Sequence, residues 1–193
     1  ETIGWHLEHA HQNRLELGPL DARGVALGAR AARHLGAAGR RALAREDLAL
    51  AAGLLGRALA RLDAEDPARA ELALDWCEAL LSAGEVSAAR HAIAELARFA
   101  GNSERRAAWH ACFSGQLAAL TDPQSLRATG EQAAAAAEAL AAAGDAAGEA
   151  KAHSVHAMAL ARLGAVGACE AALDRALAAT HRARDRRRAN TVL

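Results

Sequence analysis

One spacing recurs along this chain and constrains its fold more than anything else in it. A small residue is followed seven positions on by a glycine or an acidic residue, then by small, large and usually small residues at steps of five, four and three. Gly39, Glu46, Ala51, Leu55 and Ala58 make one copy; Cys77, Gly84, Ala89, Ile93 and Leu96 make a second; Ala157, Gly164, Cys169, Leu173 and Ala176 make a third. Steps of four and three keep side chains on one face of an α-helix, and the glycine stands where a helix has to stop and turn back. Each copy therefore predicts two antiparallel helices, with small side chains where the axes approach closely and a larger one filling the space beside them.

Composition agrees with helices and with nothing else. Alanine, about three residues in ten, is the best helix former and is depleted in strands. With 52% apolar and 24% charged residues the 193-residue chain has a globular balance. Aromatics are only 3%, so cohesion has to come from many Leu and Ala contacts, with Trp5, Trp76 and Trp109 as the exceptions. The 23 basic and 23 acidic residues cancel, which removes any global field toward nucleic acid or an anionic membrane. Apolar runs fall far short of the ~20 residues of a membrane span. Three cysteines, odd in number and far apart, argue against a disulfide framework and for small buried hydrophobes, hence a reducing cytoplasm.

Residues 2–17 read as a leading helix with Ile3 and Leu7 opposite a polar face, closed by Gly18-Pro19. Four helix pairs follow over residues 20–182: 21–45 with 47–62, 67–82 with 85–99, 104–120 with 123–143, and 146–163 with 166–181. Ser103 is the expected N-cap of the fifth of these helices, and Asp122-Pro123 starts the sixth, which is lengthened around 133–137. Residues 183–193 look like the start of a further helix. The expectation is an all-α, right-handed solenoid of nine to ten helices forming a single domain over 1–193. Because the first residue is Glu1 and the pattern breaks off at Leu193, the chain is expected to be a piece of a longer protein.

These repeats resemble tetratricopeptide repeats over roughly residues 31–181. The signature departs from the consensus at Ala42, where a large aromatic is usual, and at Phe113, where a small residue is usual. A narrower likeness lies in residues 3–10 (Ile-Gly-Trp-His-Leu-Glu-His-Ala), Leu17-Gly18-Pro19 and residues 37–47. These are similar to the region that follows the ATPase module in bacterial multidomain signalling proteins of the adenylate/guanylate cyclase and LuxR types. The resemblance implies a parent that binds ATP. The chain itself has no Gly-rich phosphate loop with its lysine, no catalytic carboxylate pair and no basic helix-turn-helix surface.

In tetratricopeptide stacks the first helix of each pair lines the concave surface. Carried over, that strip comprises Arg33, Arg40 and Leu43; Glu71, Leu74, Glu78 and Leu81; His110, Ser114 and Leu117; and Lys151, Ser154, Met158 and Arg162. It suits a protein or peptide partner, or another domain of the same parent. Arg33 and Arg40 could instead simply pair with Glu71 and Glu78. His6, His9 and His11 with Glu8, and His153 with His156, have ligand-like spacing but read as packing or solvated residues, so no metal, cofactor or catalytic residue is expected. The run Arg182, Arg184, Arg186, Arg187 and Arg188 reads as a solvated helix end that complements the helix dipole, not as a nucleic-acid surface. The leading functional expectation is a non-catalytic interaction and regulatory scaffold. The alternative is a ligand- or peptide-sensing module that controls an attached ATPase, cyclase or transcriptional output domain.

Overall fold

The computed structural model describes residues 2–101 and 103–183, and everything below concerns those residues. They form nine α-helices and no strand: α1 (Thr2–Glu16), α2 (Ala22–Ala44), α3 (Leu48–Leu59), α4 (Ala68–Ser82), α5 (Val86–Ala100), α6 (Glu104–Thr121), α7 (Leu126–Ala142), α8 (Ala146–Arg162) and α9 (Val166–Ala183). The fold is all-α, as the spacing and the alanine content predict. The expected helix beyond residue 183 lies outside the described residues. The chain divides into two compact units at Ala92–Ile93, inside α5.

Four turns share one geometry. Glu46, Gly84, Gly144 and Gly164 hold φ of 61°, 76°, 70° and 75°. In each the next residue's N–H reaches back five positions: Asp47 to the Ala42 carbonyl, Glu85 to Leu80, Asp145 to Leu140 and Ala165 to Leu160. This is the left-handed helix stop in which two otherwise orphaned carbonyls are satisfied. Glycine adopts it without strain, whereas Glu46 carries a Cβ in a region that disfavours one. The recurring spacing finds three of these turns. The fourth, at Gly144, joins α7 to α8 and so lies between predicted pairs rather than within one.

In the first unit, α2 packs on α3, α3 on α4, and α2 also touches α4. Its core is Leu35, Leu43, Leu54, Leu55 and Leu59 with Ala32, Ala42, Ala51 and Ala58. The small residues are where the axes come close: a Cβ on Gly39 would lie 2.7 Å from Leu55, and one on Gly36 2.7 Å from Leu72. In the second unit α6, α7, α8 and α9 pack in succession and α6 touches α8. Phe113, fully buried, stacks on Trp109 with ring centroids 5.2 Å apart. Room for these rings comes from Gly148, whose Cβ would lie 2.9 Å from the Trp109 ring.

Ser103 stands at the N-cap of α6, as expected, with extended backbone but without a capping hydrogen bond from its side chain. Two local expectations are corrected. The segment after Asp122 begins as a 3₁₀ turn, Pro123–Ser125, capped by the Asp122 carboxylate, so the extra length precedes α7 and does not extend it. α1 does not bury an apolar face: it buries Gly4, Glu8 and His11, while Ile3 and Trp5 are 60% and 48% exposed. The reason is ionic. Glu8 is bound by the Arg57 guanidinium of α3, with Arg61 3.6 Å away. A carboxylate held this way can be buried, and the Arg57 hydrogen bonds keep it below the usual carboxylate range.

Candidate functional site

The predicted strip divides into side chains that face solvent and side chains that belong to the core. In the first unit Arg33 and Arg40 are exposed, Glu71 is half-buried, and Leu43, Leu74, Leu81 and Glu78 are buried. Arg40 donates to Asp75 at 2.6 Å, so its expected partner Glu78 is replaced by a residue three positions earlier on α4. In the second unit Leu117 is buried, and Arg162 donates to the Ala119 carbonyl near the end of α6, which makes it a helix cap. His110 and Ser114 are half-buried and 3.4 Å apart; burial holds the imidazole below its ordinary value. The four leucines therefore form core, not the open apolar floor that a groove requires.

Lys151, Ser154 and Met158, the rest of the strip, meet at a cavity of about 340 Å³ between α6, α8 and α9. Its apolar wall includes Val155, Met158 and Leu173. Its polar lining is Lys151, Ser154, Cys169 and, from α6, Gln116. Lys151 is 9% exposed and its ammonium lies 5.6 Å above the Phe113 ring, a cation–π contact that fixes the head group while the stem packs. The Ser154 hydroxyl donates to the Ala150 carbonyl at 2.9 Å, so its oxygen keeps only its acceptor capacity. Gln116 Oε1 is buried with no hydrogen-bond partner. Cys169, expected to be a fully buried crossing residue, is half-buried and lines this cavity; Cys77, Ala51, Ala89 and Ala176 are fully buried as expected.

Gln116 and Cys169 carry no signal in one dimension that marks them as cavity-lining. What the sequence could have offered was the lone lysine of a chain otherwise rich in arginine, on a helix of small residues.

A second polar cluster lies in the same unit. Asp145, the N-cap of α8, accepts from the Gly148 amide at 2.9 Å, from Arg105 Nε at 2.6 Å and from the Trp109 indole at 2.8 Å. Burial pushes its carboxyl up, but Trp109, Gly148 and Arg105 together outweigh that and hold it below the ordinary value. The cluster ties α6 to the start of α8 and is structural.

The histidines do not assemble. His6 and His9 are exposed and flank the Trp5 ring with centroids 4.9 and 4.1 Å away, while Glu8 and His11 are buried on another face of α1. His153 lies near Glu149 at 3.9 Å, whereas His156 approaches Gly130 of α7. Among the described residues no three His, Cys, Asp or Glu side chains are placed to hold a metal ion, and no helix is long and apolar enough to cross a membrane. Of the arginine run, Arg182 bonds Glu149 at 2.6 Å, and Arg184, Arg186, Arg187 and Arg188 lie outside the described residues. No protein-family model, curated protein or solved structure matches this chain.

Proposed function

We propose that this chain is a non-catalytic interaction and regulatory scaffold, a tetratricopeptide-like helical repeat from a cytoplasmic, multidomain bacterial signalling protein. The observation that carries the reading is the repeated stop at Glu46, Gly84, Gly144 and Gly164 combined with contact between alternate helices, α2 with α4 and α6 with α8. Repeated units of this kind expose the same helix positions again and again, which is how such proteins present an extended binding surface. The polar clusters support the same conclusion: Asp145, Arg162 and Glu8 cap helices or tie them together and do not converge on a reacting centre. The partner is a protein or peptide, or a neighbouring domain of the parent.

The cavity between α6, α8 and α9 favours a second reading, a ligand-sensing module. Both share one test. The purified chain should neither hydrolyse nor cyclise Mg·ATP, and a captured partner should lose affinity on charge reversal at exposed Arg33 and half-buried Glu71 but not on substitution of His6 and His9. ATP turnover that scales with chain concentration would overturn both.

A further inference from the structure

The geometry points to a docking surface for an acidic amphipathic helix on the solvent face of α2. The inference names the partner that the scaffold reading leaves open, and it rests on that reading. No acidic residue stands between Asp21 and Glu46, a stretch that holds Arg23, Arg30, Arg33, Arg40, Arg41 and Arg45. At about 3.6 residues per turn, Arg23, Arg30, His34 and Arg41 fall within about 40° of one line, about 27 Å long. Arg33 and Arg40 make a second row about 90° around the helix. Both rows are exposed, because the opposite face of α2 is the one that packs: Gly39 lies against Leu55 of α3, Gly36 against Leu72 of α4, and Leu35 against Gly4 of α1. Arg40 pairs with Asp75 of α4, whereas Arg23, Arg30, Arg33 and Arg41 have no ion-pair partner among the described residues.

A solvated helix ordinarily interleaves acids with its cations at steps of three and four. Here Arg30 has Arg33 and His34 at those steps, and Arg23 stands in the first turn, where the helix dipole opposes a positive charge. In the free chain this repulsion is met only by water and salt; carboxylates brought from outside relieve it. Between the two rows run Ala26, Ala37 and Ala44, exposed or half-buried, whose small side chains let a second helix axis lie close. Cations on both sides of such a seam are the complement of a helix whose apolar seam is flanked on both sides by glutamates, the arrangement by which coiled coils select partners. A nucleic acid is the poorer occupant. The chain's net charge of zero gives no long-range pull on a polyanion, and α2 has no aromatic side chain on which a base could stack.

The test uses the full chain and two helical peptides of identical composition, each about four heptads long. In one, repeats of Ala-Ala-Gln-Leu-Glu-Ala-Glu, the glutamates flank the leucine seam; in the other, repeats of Ala-Glu-Gln-Leu-Ala-Glu-Ala, they lie opposite it. Fluorescence anisotropy at low salt should show the flanked peptide bound about tenfold more tightly than the other, and several-fold more weakly as salt is raised. Combining Arg30→Glu with Arg41→Glu should weaken the flanked peptide about tenfold or more, while Arg127→Glu on exposed α7 surface should leave it unchanged. The ranking of the two peptides on the wild-type chain stands even where a variant fails to fold. Equal affinity for both peptides, no binding at millimolar peptide, or tighter binding of a DNA duplex than of the flanked peptide would overturn the proposal. So would self-association of the chain alone that Arg30→Glu with Arg41→Glu abolishes, since the occupant would then be a second copy. Failure here, with an identified partner still weakened by charge reversal at Arg33 and Glu71, would leave the scaffold reading standing.

Discussion

Replacing Asp145 tests how the second unit is held together. The carboxylate is the N-cap of α8 and also the acceptor for two α6 side chains 36 and 40 residues away in sequence. In Asp145→Ala the cap is lost, which costs about 1 kcal/mol. The indole N–H of Trp109, a residue 5% exposed, loses its acceptor, and an unsatisfied buried donor costs about 1–3 kcal/mol. The Arg105 side chain is 34% exposed and can turn to water, so its share is about 0–1 kcal/mol. The expected total is about 3 kcal/mol, of which Asp145→Asn should forfeit about 2 kcal/mol, because its amide oxygen can keep the Gly148 bond while its NH₂ opposes two donors. Urea denaturation followed by tryptophan emission measures this, with Trp109→Phe in the Asp145→Asn background as the control that removes the orphaned donor and recovers about 1 kcal/mol or more. An Asp145→Asn midpoint within about 0.5 kcal/mol of wild type would refute the cluster as a tie between α6 and α8.

Further outcomes follow from the same packing. Glu46→Gly should raise stability by about 0.5–1 kcal/mol, since it relieves the one non-glycine residue in the left-handed region among the described residues; a loss of stability in thermal melts would contradict that. Ala89→Leu should cost about 1–3 kcal/mol by overpacking a position with no exposure, while Arg127→Ala on the surface should stay within about 0.5 kcal/mol; equal urea midpoints would show that the helix interface is misplaced. Burial lowers the proton affinity of His11, His110, His153 and His156 below the ordinary value of 6.5. Below that pH the unfolded chain binds more protons than the folded one, so the stability they contribute is fully present above pH 6.5 and is lost as pH falls through the folded values. Glu8 and Asp145, also lowered, extend the loss into the acid range. Chemical denaturation at pH 7.5 and 5.5 should show the drop, and higher stability at 5.5 would refute the assigned burial.

What the sequence made legible was whatever repeats locally. Gly84 and Gly164 are a fixed seven residues after Cys77 and Ala157, so the helix stops and the crossing face around Ala51, Ala89 and Ala176 could be read directly. Gly144 has the same turn, yet a register tied to helix pairs passes over it. Contacts that close over long separations were not legible. Nothing in residues 2–16 says that Glu8 will be buried, because its partner Arg57 is 49 positions away. Leu43, Leu74, Leu81 and Leu117 show the same limit: helical phase places them on a common face, and only the neighbouring helices decide whether that face is groove or core. The cavity needs three helices at once, and of its lining only Lys151, Ser154 and Met158 fall on the groove positions that the tetratricopeptide resemblance implies.

The central claim is that this chain acts by binding through the surface its repeated helices present. The most direct measurement is a calorimetric titration of a captured partner or adjoining parent domain into the wild-type chain and into an Arg33→Glu, Glu71→Lys variant, with melting of both chains recorded alongside. The account predicts an affinity about tenfold or more weaker in the variant, titrated at a temperature where both chains are fully folded. Unchanged affinity in a folded variant would contradict it.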